Sequence, residues 1–233
     1  DGPLWPLTMC PQFRSHTLAA FDHLSQVAQH LSRGLLAGIG LTDPHIDMLL
    51  ADAKTIASEN RGSSNSRCSR GPVSCSNLSV IRYSGQPGGE AGPSQCPDHT
   101  DVSIMTIIPC SCGSAGLQVF DWVKTSWIDV ETENPGVAVV FAGEALGHIS
   151  GHYFNPCVHM VGNVGPGPRL SAFVQLCASA DASLNPETEN LDASVVGSEC
   201  AQRFATSSSY SGREFMHHIS ASRVSSNFPR TVE

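Results

Sequence analysis

The stretch CPDHTDVSIMTIIP, residues 96–109, begins with turn residues and continues as an apolar run that is typical of a buried strand. If residues 99–107 are extended, side chains at positions i and i+2 point to the same face of the strand. His99 and Asp101 then emerge side by side at the start of the apolar run. This arrangement allows a simple ion pair, and it equally allows two of the three protein ligands of a metal site.

The composition limits both the fold and the partners. The chain has 233 residues, of which 40% are hydrophobic and 15% charged, with 21 Gly and 15 Pro, as is typical of one large, loop-rich β domain. The formal net charge of −8 predicts no nucleic-acid partner, because phosphate binding needs a basic surface. We expect no membrane partner, since the sequence shows neither a bilayer-length apolar run nor a signal-peptide pattern. Nine irregularly spaced cysteines predict reduced thiols and a cytoplasmic location. The oligomeric state is not predicted.

Helical patterns occur at both ends of the chain. Apolar residues spaced by three and four predict an amphipathic helix over 13–39, and Thr42 precedes a second helical pattern that runs to residue 56. The polar, Ser/Arg/Gly-rich segment 59–76 predicts a mobile surface loop. The C-terminal part is polar and weakly helical, and its best helix candidate is SGREFMHHISASR, residues 211–223.

Between these ends the hydrophobic period is two, and turn residues separate the segments, which favours a sandwich or closed jelly roll. The predicted strands are LSVIRY (78–83), VSIMTIIP (102–109), GLQVFD (116–121), SWIDV (126–130), GVAVVFAG (136–143), CVHMV (157–161) and RLSAFVQLC (169–177). We therefore predict a mainly β protein with flanking helices in three parts. These are a helical N-terminal segment and loop (1–76), a jelly-roll core (77–177) packed against the N-terminal helices, and a helical or irregular tail (178–233).

A metal site in such a core needs a third ligand, which we expect from a strand on the other side of the barrel. The candidates are His148, His152 and His159, and His159 is favoured because the alternating segment CVHMV fixes its direction. Ten residues beyond it, Arg169 and Ser171 form another i, i+2 pair, a fork suited to a carboxylate. Apolar side chains expected to line the pocket are Ile104, Met105, Leu117, Val119, Phe141 and Phe173.

The motifs HTD, GLQVFD, WIDV, VVFAGEAL, VHMV and RLSAFVQL occur here in one order over residues 77–177. This order resembles the iron(II)- and 2-oxoglutarate-dependent oxygenases, in the branch similar to isopenicillin N synthase and to plant hormone and flavonoid oxygenases. The resemblance implies a cupin-like double-stranded β-helix. It also implies that His99, Asp101 and His159 bind Fe(II), leaving positions for 2-oxoglutarate and O₂.

The resemblance further implies that Arg169 and Ser171 bind the far carboxylate of 2-oxoglutarate, and that Tyr83 matches the tyrosine commonly offered to the co-substrate. Ser84 and Ile81 replace the proline and asparagine that usually flank that tyrosine. The implied reaction hydroxylates, desaturates or cyclises a small organic substrate, releases succinate and CO₂, and is supported by ascorbate. Because the family's N-terminal segment is longer, we expect this one to be truncated.

Two other interpretations stay open. One is a catalytically inactive relative that serves as a binding module, and the other is a metal-dependent cupin-like enzyme that does not use 2-oxoglutarate. The complete set of three ligands speaks against the first, and the Arg-x-Ser pair speaks against the second. Isopenicillin N synthase and ethylene-forming members nevertheless share Arg-x-Ser without using 2-oxoglutarate.

Overall fold

The computed structural model of the chain describes residues 10–51, 75–84, 94–109, 112–113, 115–130, 137–162 and 167–223. The predicted mobile loop therefore lies outside the described residues up to position 74, and so does the end of the second predicted helix beyond residue 51. Within the described residues, no helix is both long enough and apolar enough to cross a membrane.

Among residues 10–51, two helices precede the sheets, as the hydrophobic period predicts. Helix α1 spans Phe13–Gly38, and its buried positions recur every three or four residues from Phe21 to Leu36. Gly40 then adopts a positive φ of 99°, which turns the chain into helix α2, Asp43–Leu49, with Pro44 in its first turn. Helix α1 packs against two strands of the following core, so the predicted helical layer on a β core is confirmed.

Within the described ranges, nine strands form two antiparallel sheets: β1 (Asn77–Tyr83), β2 (Cys96–His99), β3 (Met105–Ile108), β4 (Cys112–Gly113), β5 (Leu117–Asp121), β6 (Ser126–Asp129), β7 (Val139–Ala142), β8 (His159–Val161) and β9 (Arg169–Leu176). The first sheet has the order β1-β9-β3-β7, with β4 also paired to β9, and the second has the order β2-β8-β5-β6. Strands from both sheets line one cavity. The jelly-roll prediction is therefore confirmed.

The helices that come after β7 in the chain join the same hydrophobic core as the N-terminal helices. They are α3 (Glu144–Ile149), α4 (Ala193–Val196), α5 (Ser198–Thr206) and α6 (Gly212–Arg223). Helix α6 confirms the helix predicted over 211–223, whereas α3, α4 and α5 were not predicted. Leu184, Val196 and Phe215 belong to one buried cluster with Leu36 of α1. Helices on both sides of the strands therefore share a core, while the division of the chain at residues 77 and 177 stays a prediction.

The strand predicted across residues 99–107 is interrupted. Strand β2 ends at His99, β3 begins at Met105, and the chain between them crosses from one sheet to the other. The carbonyl oxygens of Asp101 and Ser103 accept hydrogen bonds from the backbone N–H groups of Glu144 (2.7 Å) and Ala145 (3.2 Å). These carbonyls thus satisfy the first turn of α3, whose N–H groups have no partner within the helix, and they do not join a strand ladder.

Candidate metal centre

Two histidines that are 60 positions apart in the chain face each other on neighbouring strands. His99 of β2 and His159 of β8 are directly opposite in the antiparallel register, and their ring centroids lie 4.3 Å apart. The expectation that the third ligand comes from across the barrel is therefore wrong. The two strands pair within one sheet, and opposite residues of such a pair present their side chains on the same face.

Backbone carbonyls set the orientation of both imidazole rings. The Nδ1 atom of His99 lies 2.8 Å from the Pro97 carbonyl oxygen, and the Nδ1 atom of His159 lies 3.1 Å from that of Cys157. A carbonyl oxygen can only accept a hydrogen bond, so Nδ1 carries the proton and donates it in each ring. The Nε2 atoms of His99 and His159 consequently carry the free electron pairs, as required of metal ligands.

Asp101 supplies an oxygen between the two rings. Its Oδ1 atom lies 3.7 Å from Nε2 of His99 and 3.9 Å from Nε2 of His159. Two ligand atoms that share an ion at about 2.1 Å each lie at most about 4.2 Å apart, so both distances suit one small cation. The other oxygen, Oδ2, accepts a hydrogen bond of 2.5 Å from the Thr106 hydroxyl. One ligand atom from each of the three residues falls within a mutual distance of 4.8 Å.

The pKa of His99 is raised above its ordinary value, although burial by itself lowers it. The Cys96 thiol, the Pro97 carbonyl and the charge of Asp101 all favour the protonated ring and together outweigh burial. Without a cation, His99 therefore binds a proton more readily than an ordinary imidazole does, and a cation that binds there must displace this proton.

A glycine allows the segment that carries Asp101 to pack against α3. A β-carbon at Gly143 would lie 2.2 Å from the Ser103 carbonyl oxygen and 2.9 Å from that of Asp101, which only glycine avoids. Beside it, the Thr100 hydroxyl donates to Oε1 of Glu144 at 2.6 Å. Helix α3 and the Asp101 segment thus hold each other in place.

A cavity of about 210 Å³ lies between the sheets and includes all six residues predicted for the site. Arg169 is 1% exposed, pairs directly with Tyr83 in the β1–β9 register, and has its guanidinium carbon 5.2 Å from the Tyr83 ring centroid. Ser171 follows two positions later on the same face and is also buried. The lining residues are Ser79, Ile81, Tyr83, Cys96, His99, Asp101, Thr106, Ile108, Leu117, Phe141, His159, Val161, Arg169, Ser171, Phe173 and Gln175.

The two histidines that were not favoured lie elsewhere. His148 is in α3, where its Nε2 atom lies 3.3 Å from Oδ1 of Asn185 and burial lowers its pKa. His152 follows α3 with a positive φ of 64°. Neither lines the cavity.

Sequence reasoning missed several residues of the site and misplaced others. Thr106, which holds Asp101, stands out only as the polar residue within IMTII, and Gln175 gave no signal beyond alternation with Phe173. Of the apolar residues expected in the pocket, Leu117, Phe141 and Phe173 line the cavity. Ile104, Met105 and Val119 do not. Ile104 and Met105 instead belong to the core shared with α1.

Comparison with known proteins identifies sequence relatives of the part of the chain that contains this site. Residues 75–178 match the family model described as the 2OG-Fe(II) oxygenase superfamily. The chain is 35% identical over 88 residues to the 2-oxoglutarate-dependent dioxygenase frbH of Dothideomycetidae sp. (strain 11243). That match covers 38% of this chain and 26% of the relative.

Solved structures show the same fold at low sequence identity. A full-length Neurospora crassa protein in complex with alpha-KG superposes with a TM-score of 0.67 at 16% identity, covering 91% of this chain and 57% of that chain. A Caulobacter crescentus protein named after the 2OG-Fe(II) oxygenase family gives a TM-score of 0.68 at 18% identity, covering 96% and 63%. The chain thus spans a quarter of the length of the curated relative and about three fifths of these two structures.

Proposed function

We propose that this chain, whose residues 75–178 belong to the 2OG-Fe(II) oxygenase superfamily, is an Fe(II)- and 2-oxoglutarate-dependent oxygenase acting on a small organic molecule. The observation that carries the proposal is the convergence of His99, Asp101 and His159 within 4.8 Å, in the same cavity as a buried arginine. The reaction hydroxylates, desaturates or cyclises the substrate and converts 2-oxoglutarate to succinate and CO₂.

The donor set fits ferrous iron. Two imidazole nitrogens and one carboxylate oxygen on one side of an ion are the ligands of non-haem Fe(II) oxygenases, and they leave open positions for co-substrate and O₂. The bound iron supplies the oxidising chemistry. The chain itself orients the ligands, through the Pro97 and Cys157 carbonyls on the two rings and the Thr106 hydroxyl on Asp101.

Arg169 is the proposed anchor of 2-oxoglutarate. Its guanidinium binds a carboxylate through two parallel hydrogen bonds, and burial strengthens that interaction because the surroundings have a low dielectric constant. Ser171 adds a hydroxyl donor from the same strand face, and Tyr83 covers the guanidinium. A cupin-like hydrolase or isomerase has no need of this buried cation, so the presence of Arg169 supports the oxygenase.

The remaining cavity wall is largely apolar and supports a small substrate. Ile108, Leu117, Phe141 and Phe173 exclude water from the reacting groups. The volume of about 210 Å³ is below the range of about 300–1,000 Å³ that is usual for drug-sized ligands.

A small metabolite therefore suits the cavity better than a polymer does, and the net charge of −8 favours the same choice over nucleic acid. A structure of the Neurospora relative contains thymine, and a molecule of that size lies within the proposed class. The proposed cytoplasmic location rests on the thiols, since six cysteines in the described part of the chain form no disulfide bond.

Succinate release from 2-oxoglutarate in the presence of Fe(II) and ascorbate tests the proposal without knowledge of the substrate. We expect turnover in the unmodified chain and its loss in His99→Ala and Asp101→Ala. His30→Ala is the matched control, because His30 is exposed on α1 and its Nδ1 atom lies 2.8 Å from the Gln26 carbonyl oxygen, within the same helix. Succinate formation that persists in His99→Ala would show that the assigned ligands do not hold the iron.

A further inference from the structure

We propose, on the basis of the oxygenase function above, that the side-chain amide of Gln175 presents a hydrogen-bond donor to the substrate beside the metal centre. The substrate then carries an oxygen or nitrogen acceptor, such as a carbonyl, ether or ring nitrogen, close to the position that reacts.

Gln175 lies next to the residue that holds Asp101. In the β3–β9 register it is directly opposite Thr106, whose hydroxyl donates to Oδ2 of Asp101. Directly opposite residues of an antiparallel pair have their Cβ atoms about 4.5–5.5 Å apart. Gln175 and Thr106 both line the cavity, so the amide is at the metal end of the pocket. Arg169 lies at the other end of the same strand.

Two neighbours on β1 hold one end of the Gln175 amide. The Ser79 hydroxyl donates to Oδ1 of Asn77 at 3.1 Å. The Nδ2 group of Asn77 then donates to Oε1 of Gln175 at 3.2 Å, across the register pair that joins β1 to β9. Asn77 thus engages the oxygen end of the Gln175 amide, and the Nε2 group, with two N–H donors, is the end that can donate to a ligand.

The Nε2 group of Gln175 makes no hydrogen bond to any other residue that the structure describes. The cavity wall also carries apolar side chains, among them Phe173 two positions earlier on the same strand face, Ile108 and Phe141. A donor in such surroundings discriminates strongly, because a ligand without an acceptor leaves it unpaired. The chain Ser79–Asn77–Gln175 therefore selects substrates through one oriented donor.

A purely structural role would also be served by the Asn77–Gln175 bond, since it ties two strands together. The structural role and the substrate-binding role predict different results when the Gln175 amide is rotated so that its nitrogen and oxygen exchange places. In Asn77→Asp the new carboxylate only accepts hydrogen bonds, so Gln175 must rotate and donate its Nε2 group to it. The strands stay linked, but the cavity then faces the Gln175 oxygen instead of the donor.

Side-chain ¹⁵N–¹H spectra of the full-length chain loaded with Zn(II) test this directly. The Gln175 amide signals are identified by their absence in Gln175→Glu, and dimethyl sulfoxide, which accepts but does not donate hydrogen bonds, is the probe. We expect saturable shifts of the Gln175 protons in the unmodified chain. In Asn77→Asp, the dimethyl sulfoxide concentration that gives half of the maximal chemical-shift change of these protons should rise about fivefold or more. This is the effect expected from the loss of one hydrogen bond.

The amide of Gln118, which donates to Asp129 on the exposed β5–β6 pair, is the internal control and should not saturate. Unresponsive Gln175 signals in the unmodified chain, or an unchanged response in Asn77→Asp, would overturn the inference. The measurement needs no turnover. A chain that releases succinate yet fails here refutes this inference alone, whereas absent succinate release refutes the proposed oxygenase.

Discussion

Replacing Thr106 with valine removes one hydroxyl from beneath the proposed metal centre and keeps the shape of the side chain. The Thr106 hydroxyl donates to Oδ2 of Asp101 at 2.5 Å, and it lies 3.0 Å from the Ser103 hydroxyl. Since its proton is used on the carboxylate, the hydroxyl of Ser103 donates to Thr106. The bond from Thr106 to Oδ2 of Asp101 directs the other carboxylate oxygen, Oδ1, towards the imidazoles of His99 and His159.

The size of the effect follows from the burial of the carboxylate. Asp101 is 5% exposed, and a hydrogen bond to a charged group in such a site contributes about 1.5–3 kcal/mol. Loss of a partner that orients a metal ligand commonly weakens metal binding about 10- to 100-fold, or about 1.4–2.8 kcal/mol, which agrees with that range. We therefore expect Thr106→Val to raise the dissociation constant for Fe(II) by about 10- to 100-fold.

Anaerobic competition between the protein and a chromophoric Fe(II) chelator measures this constant. Thr100→Val is the matched control, because Thr100 is also buried and adjacent to Asp101 in sequence, but its hydroxyl donates to Glu144. The control should change the affinity less than about threefold. An equal loss in both variants, or an Fe(II) affinity unchanged in Thr106→Val, would refute the claim that Thr106 positions the carboxylate.

Three further substitutions or modifications test other parts of the account. Gly143→Ala should lower the free energy of unfolding in urea by about 2–3 kcal/mol, because the added methyl group meets backbone oxygens. Gly34→Ala, at an open position on α1, should be neutral or stabilise the fold by up to about 1 kcal/mol. Equal effects of the two substitutions would contradict the close contact at Gly143. Arg169→Gln should raise the KM for 2-oxoglutarate at least about tenfold while Fe(II) binding is retained. Arg82→Gln, an exposed position on β1, should leave this KM unchanged. The same KM change in both variants would contradict the role of Arg169 as the anchor of 2-oxoglutarate. Burial raises the pKa of the Cys177 thiol to about 12, so at pH 8 iodoacetamide, followed by mass spectrometry, should modify Cys177 only after denaturation; rapid labelling of the folded chain would refute its burial.

Local periodicity was sufficient to predict the helix over 13–39 and most strands, because each of these elements buries one face along its whole length. It failed between residues 100 and 104. There the backbone bonds to α3, some forty positions later, and no local pattern reveals such a partner. The interruption also changes which face each later residue occupies. Thr106 and Ile108 point into the cavity, while Met105 packs towards α1, opposite to the prediction from an unbroken strand.

The candidate site was predictable in its members but not in its arrangement. The motif order identified His99, Asp101, His159 and Arg169, and all four line one cavity. That His99 and His159 are direct neighbours depends on the pairing of β2 with β8, which is a property of the whole sheet. The orientation of the Gln175 amide depends in the same way on a bond across β1 and β9.

The most direct test of the central claim is an anaerobic titration of the chain with Fe(II) and 2-oxoglutarate, followed by visible absorption. Chelation of the keto acid to ferrous iron produces a charge-transfer band in that range. We predict a band that saturates at one iron per chain and is absent in Asp101→Ala and His159→Ala. A chain that gives no band, or variants that give the same band, would contradict the assignment of His99, Asp101 and His159 as the iron ligands.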